Sequence, residues 1–512
     1  MSTGDMHPRL NIGDLEFDPA TESVRRNGQT WSLGSRGSRL LAALLRRRGD
    51  ILTKSELMDA AWEGRAVEES NLSVQVASLR KILGKGSHGD IIVTVPRIGY
   101  RLALPDVSGR PASPLSERPS VAVLPFFNLS EDQEQAYFAD GLAEEIIGVL
   151  GKVPGLSVIA RNSSFAYRDR NIDVRKVGAE LEVRFVLTGS VQRSGQRLRM
   201  YVELADAANG SQVWSTRFDR DLTDIFAIQD EVAREVADAL RLSISPRTTL
   251  AELEGKSANL EALDLSLRGR AILFAESPSP DRARAGIELM RRALAVDPTL
   301  PGPYVALSIA FLTMAVNRWL PDVTAGVAEA RRCADAAVKI DPDFALGYGI
   351  SSIVALMEKD GTRVETDSLK AFEINPNHTL VQVGRGNAFT HGGRPLEAIP
   401  YFEEAIRLDP ALTHQNLHHL ATAYLFGARY ETAASLLRAR ILLVPETDIS
   451  RGYLCSALGH LGQVEEARRV WNDLTAINPA YSLRERLSNF WFASPSDPER
   501  IVEGVAKAGL PI

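Results

Sequence analysis

Apolar residues recur along this chain with two periods. In EESNLSVQVASLRKILG (68–84) they fall at Leu72, Val76, Leu79 and Leu83, a spacing that predicts a helix with one buried face. Ser70, Asn71, Val74, Ala77, Ser78 and Lys81 take the other face, with Gln75 at its margin. DIIVTV and YRLAL, on either side of the tip PRIG, predict a hairpin directly after it. Upstream, RGSRLLAALLRRRG turns Leu40, Leu41, Leu44 and Leu45 inward on a helix. In DILTKSELMDAAW, Thr53 and Glu56 form a capping box at the start of a short helix. RLNIGDLEFDP and SVRRNGQTWSLG read as short strands joined by turns.

PDVSGRPASPLSERP (105–119) holds four prolines and three serines and predicts a linker. Beyond it the pattern runs strand (VAVLPF), helix (Phe138–Val153), strand (LSVIAR), a short helix capped by Asp173, three alternating strands turning at Ser194-Gly195 and Asn209-Gly210, and a helix at about 222–242. That order predicts an α/β domain over 120–242.

From 262 to 512 the pattern repeats. Prolines 298, 342, 376, 410, 445 and 479 are separated by 44, 34, 34, 35 and 34 residues. A period of about 34 with proline after a second helix is the signature of tetratricopeptide repeats. Aligned on Pro410, the small and large packing positions are Gly386, Phe389, Ala398, Phe402 and Ala405. The next repeats supply Ala421, Tyr424, Ala433 and Leu437, then Cys455, Leu458, Ala467 and Trp471. The 44-residue gap predicts an insertion around NRWLPDVTAG.

The net charge of -6 over 512 residues excludes a protein that coats nucleic acid along its whole length. Residues 36–104 nevertheless carry twelve Lys and Arg against seven Asp and Glu. Two distant cysteines, Cys333 and Cys455, and an N-terminus without an apolar core point to a reducing, cytoplasmic setting. PYVALSIAFLTMAV, with Ser308 and Thr313 inside, is too short for a membrane span and predicts a buried helix.

NLSVQVASLRKILG followed by TVPRIGYRL resembles an OmpR/PhoB-type winged helix-turn-helix over about 9–104. The resemblance implies a third helix in the major groove and a wing reaching the neighbouring minor groove. Carried across, Asn71, Val74, Gln75 and Ser78 are base-reading candidates. Lys81 would lie near phosphate, Thr94 would bond phosphate from the wing, and Arg97 would enter the minor groove. The sequence departs from its relatives at Ala77 and Ser78, where arginines are common, and at Ser38, where a bulky apolar residue is common. With about eight residues upstream, control by a receiver domain in cis is not expected. Arg80 fits either a structural or a DNA-facing role.

PSVAVLPFFNLSEDQEQAYFADGLAEEIIGVLGKVPGLSVIAR and FVLTGSVQRSGQRLRMYVEL resemble the TolB N-terminal-like module. The three-part order resembles HilA/CadC-type regulators without their membrane span. The expected fold class is therefore multidomain: an N-terminal winged helix-turn-helix (1–104), a central TolB-like α/β domain and a C-terminal TPR α-solenoid. The expected function is a bacterial transcriptional regulator binding double-stranded DNA as a dimer or in tandem. RNA polymerase is a candidate contact, and an unknown protein or peptide is expected in the TPR groove. The alternative is a protein-interaction scaffold whose winged helix no longer binds DNA.

Neither a catalytic constellation, a cofactor motif nor a metal site is expected, and the chain reads as a non-enzyme. Adenylate cyclases share the rear two segments, but their catalytic domain has no counterpart at the front. EGKS (254–257) lacks the glycine spacing of a phosphate loop. The histidines of THQNLHH fit a repeat helix better than a metal site, and Asp140, Glu144 and Glu145 are expected to favour a helix N-terminus through its dipole.

Overall fold

The computed structural model describes residues 10–12, 15–19, 21–26, 29–46, 51–62, 69–83, 85–86, 89–95, 99–102, 119–130, 136–153, 155–168, 173–194, 197–221, 225–240, 259–274, 279–316, 319–320 and 322–512. They fall into two compact units. One takes in the N-terminal domain with 413–481 and 503–511, the other 118–412 and 482–502.

The N-terminal domain opens with an antiparallel meander of β1 (Leu10–Ile12), β2 (Leu15–Asp18), β3 (Ser23–Arg26) and β4 (Gln29–Ser32). Helix α1 (Gly34–Arg46), strand β5 (Ile51–Thr53), and helices α2 (Lys54–Trp62) and α3 (Glu69–Leu83) follow. A small ladder, β6 (Lys85–Gly86) with β7 (Gly89–Asp90), precedes the hairpin β8 (Ile92–Val95) and β9 (Gly99–Leu102). The capping box forms at α2: the Thr53 amide donates to Glu56 Oε2 at 2.8 Å and the Glu56 amide to Thr53 Oγ1 at 3.2 Å. Leu40, Leu41, Leu44 and Leu45 are buried as expected.

In the second unit, the central sheet runs β12 (Ser157–Val158), β10 (Ser120–Val123), β13 (Phe185–Ser194), β14 (Arg197–Asp206) and β15 (Ser211–Asp221), with β11 (Phe127–Asn128) also on β13. β10 is parallel to β12 and β13, whereas β13, β14 and β15 are antiparallel. Helices α4 (Ala136–Gly151), α5 (Arg161–Ser164), α6 (Val174–Leu181) and α7 (Ile225–Ala239) complete this α/β domain. The Asp173 side chain caps α6 by accepting from the Arg175 amide.

Paired helices follow: α8 (Leu260–Leu273) with α9 (Pro280–Val296), α10 (Pro301–Val316) with α11 (Val323–Ile340), α12 (Ala345–Glu358) with α13 (Gly361–Ile374), and α14 (Thr379–His391) with α15 (Ile399–Leu408). The other unit carries α16 (Thr413–Phe426) with α17 (Tyr430–Leu443) and α18 (Asp448–His460) with α19 (Val464–Ile477). Helices α20 (Leu483–Ser488) and α21 (Ser496–Lys507) end the chain.

The repeated Asp/Asn-Pro pair has a physical role. Asp297, Asp341 and Asn375 each accept the amide hydrogen two residues on, at 2.9, 3.1 and 2.9 Å. That Asx turn stops the second helix of a pair, and the proline prevents its continuation. A Cβ on Gly386 would lie 2.5 Å from the Phe402 ring, so the paired helices meet only because that position is glycine.

One expectation holds and another needs correction. The insertion expected around NRWLPDVTAG is where the structure has it: α10 and α12 each begin three residues after their proline and α11 and α13 each end two residues before the next, so the ten extra residues lie between, around 317–326. Helices α10 and α11 have 16 and 18 residues where α12 and α13 have 14 each, and the connection at 317–322 is longer than that at 359–360. The expectation to correct is that for Asp140, Glu144 and Glu145, which do not serve a helix dipole. α4 begins at Ala136, so Glu144 and Glu145 lie mid-helix. Asp140 takes a two-pronged contact from Arg168, both bonds 2.8 Å. Glu144 pairs with Arg161 at 3.0 Å, and Arg270 of α8 reaches Glu144 at 3.4 Å and Glu145 at 2.7 Å.

The apolar run Pro303–Val316 lies within α10 and is largely buried; among the described residues no helix is long and apolar enough to cross a membrane. The EGKS segment and the linker prolines up to Pro114 lie outside the described residues.

Candidate nucleic-acid interface

The sequence of α3 divides it into two faces, and packing fixes which one looks outward. Leu72, Val76 and Leu79 are each 1% exposed and Leu83 is fully buried, in one core with Leu40, Leu44, Leu57 and Tyr100. Burying each such side chain is worth about 1.5–3 kcal/mol, so the helix cannot rotate about its axis. Asn71, Val74, Ala77, Ser78 and Lys81 are exposed on the opposite side. Val74 is 64% exposed.

Asn71, Val74, Ser78 and Lys81 follow one another at intervals of three and four, which makes them a single ridge about 15 Å long. Among the described residues, Asn71, Gln75, Ser78 and Lys81 have no hydrogen-bond or ion-pair partner. Gln75 is half-buried at the edge of the ridge; a Cβ on Gly37 of α1 would stand 3.9 Å from its Oε1.

The hairpin is tied to this helix. Arg80 donates from Nε to the Ile92 carbonyl of β8 at 2.9 Å, and its guanidinium lies 6.0 Å from the centre of the Tyr100 ring in β9. Of its two roles left open by the sequence, the structural one holds. Thr94 stands in β8 opposite Tyr100. Arg97, at the tip, lies outside the described residues.

Sequence reasoning missed the third strand under the wing. β5 pairs antiparallel with β9, placing Leu52 against Tyr100 and Thr53 against Gly99. A Cβ on Gly99 would lie 1.9 Å from the Leu52 carbonyl oxygen, so only glycine fits where the wing returns to the body. GY after the tip was the available signal.

The arrangement is a fixed helix showing slender polar side chains beside an anchored hairpin. Slender groups suit a groove floor because they reach base edges without holding the helix away. Residues 28–102 match the family described as transcriptional regulatory protein, C terminal, and residues 116–235 match the HilA/YgeH-like transcriptional regulator, second domain. The chain joins an OmpR/PhoB-type domain to a HilA-like second domain.

Among relatives, putative adenylate cyclase 3 of Rhizobium meliloti (strain 1021) is 42% identical over 48% of this chain and 41% of its own length. The phosphate regulon transcriptional regulatory protein PhoB of the same organism is 36% identical over 18% of this chain and 41% of its own. Transcriptional regulator HilA of Salmonella typhimurium (strain LT2) is 22% identical over 75% of this chain and 68% of its own. The chain thus spans 41% of the length of each of the first two.

Among the described residues, no group of three or more His, Cys, Asp or Glu could hold a metal. In THQNLHH, His418 stacks on Tyr453 with ring centres 5.4 Å apart and its Nδ1 lies 3.1 Å from Ser450 Oγ; burial keeps it neutral to well below its usual range.

Proposed function

We propose that this chain is a bacterial DNA-binding transcriptional regulator acting in the cytoplasm. The observation that carries the reading is the outward ridge of α3, where Asn71, Ser78 and Lys81 stand exposed without partners among the described residues, next to an anchored wing. In this reading 1–104 is the DNA-binding domain. Asn71 and Gln75 hydrogen-bond base edges, Val74 meets a thymine methyl, Ser78 contacts a base or sugar, and Lys81 lies on phosphate. Thr94 and Arg97 extend the contact along the wing into phosphate and minor groove. We assign 120–242 to the TolB N-terminal-like type and 262–512 to TPR repeats that receive a protein or peptide signal.

The ridge carries one cation, so a single domain gains little from counterion release. Two copies on paired half-sites supply the missing affinity, and RNA polymerase is the downstream contact. The reading gives the chain no enzymatic activity of its own; the relative named as a cyclase matches less than half of either chain, and cyclic-nucleotide synthesis by the purified protein would refute it. Genomic DNA selection with the full-length chain, beside an Asn71→Ala/Gln75→Ala variant, tests the main claim. A motif enriched by the first and lost by the second is expected; no enrichment by either folded protein would favour a scaffold.

A further inference from the structure

The central sheet ends on β15, and among the described residues no strand pairs with its outer edge. At Ser211–Asp221 this is a long edge to leave open. Edge strands commonly resist self-association by carrying charges that repel a second copy. Here the signs alternate instead: Arg217, Asp219, Arg220, Asp221. Phe218 is 2% exposed in the core shared with α7, so its neighbours Arg217 and Asp219 both belong to the opposite, solvent face. On that face Asp219 already gathers three arginines, Arg197 at 2.6 Å, Arg199 at 3.1 Å and Arg217 at 3.8 Å. Arg217, the most distant of them, remains 60% exposed.

We propose that β15 pairs antiparallel with β15 of a second copy of this chain, about a two-fold axis at Phe218. That register sets Arg217 opposite Asp219 of the partner subunit and, by symmetry, Asp219 opposite Arg217 of the partner subunit. It also sets Ser215 opposite Asp221 of the partner subunit and Thr216 opposite Arg220 of the partner subunit. An axis at Arg217 or at Asp219 would set like charge against itself. The pairing is isologous and closes, so it gives a dimer and not a filament. It extends the two-copy reading given above, yet its test uses no DNA, so either can fail without the other.

Sedimentation of the full-length chain over a wide concentration range reads the dimer. Arg217→Asp turns both unlike pairs into acid against acid, and Asp219→Arg turns both into base against base. Each variant alone is expected to weaken dimerisation by about tenfold or more. Mixed in equal amounts, the two variants face each other with unlike charges in both pairs, and a heterodimer of wild-type affinity is expected. Asp219→Arg also gives up the contacts with Arg197 and Arg199, which makes the mixture the decisive arm, because a misfolded variant would not rescue its partner. A monomeric wild type, single variants that dimerise like wild type, or a mixture without rescue would each overturn the proposal.

Discussion

The helical repeats and the recognition helix handle polar side chains in opposite ways. In the repeats, Arg331 is 8% exposed and donates to Glu358 at 2.7 Å and to the Ser351 carbonyl at 2.9 Å, with Asp335 at 3.4 Å. Arg385 pairs with Glu365 at 3.3 Å, and Arg438 holds Glu466 at 2.8 Å. On α3, by contrast, Asn71, Ser78 and Lys81 are exposed and, among the described residues, without partners. The difference teaches that many arginines among the described residues are engaged within the fold. Net charge is therefore a poor guide to DNA affinity here, and the small unsatisfied face says more than the many cations elsewhere.

The contrast can be broken at four points. Arg331→Ala should cost about 1.5–3 kcal/mol of stability, since it removes the buried guanidinium and its hydrogen bonds to Glu358 and the Ser351 carbonyl; denaturant unfolding with a shift under 1 kcal/mol would show that the cluster is not structural. His391 comes next. Burial lowers its pKa from 6.5 to about 4 in the folded chain, and its Nδ1 lies 3.0 Å from the Trp491 carbonyl. The unfolded chain takes up the proton first. Stability is therefore full above about pH 6.5 and declines as pH falls toward 4, by about 2 kcal/mol between pH 6.5 and 5. A His391→Gln variant should flatten that part of the profile, and an unchanged slope would remove His391 as its source.

The exposed face should behave otherwise. Asn71→Ala or Gln75→Ala should each lose about 1–3 kcal/mol of specific DNA binding with unfolding curves unmoved; a loss of stability instead would mean these side chains serve the fold. The smallest effect is that of Lys81→Ala. It should lower the slope of log affinity against log salt by about 0.9, the value for one phosphate contact. A salt slope equal to wild type would place Lys81 away from the backbone.

What could be read from the sequence followed from short-range periodicity. The buried stripe Leu72, Val76, Leu79 and Leu83, the Thr53–Glu56 capping box and the Asp173 cap are each set by residues within a few turns of one another, and each appears in the structure. The repeat period was legible because each Asx turn is local. What stayed hidden depends on distant partners. β5 is three residues long and exists through pairing with β9, about fifty positions away. Glu145 finds Arg270 at a separation of 125 residues, and no pattern around either predicts it. The site was legible as a face, since periodicity alone turns Asn71 and Lys81 outward. The double role left open for Arg80 was settled only by the carbonyl of Ile92.

The most direct test of the account is the ratio of affinities for an enriched genomic site and its scrambled counterpart, measured at fixed salt for wild type and for Asn71→Ala/Gln75→Ala. The account predicts a large ratio for wild type that collapses toward one in the variant, with binding to the scrambled site little changed. Equal ratios for the two proteins would contradict it and take the reading function away from the outer face of α3.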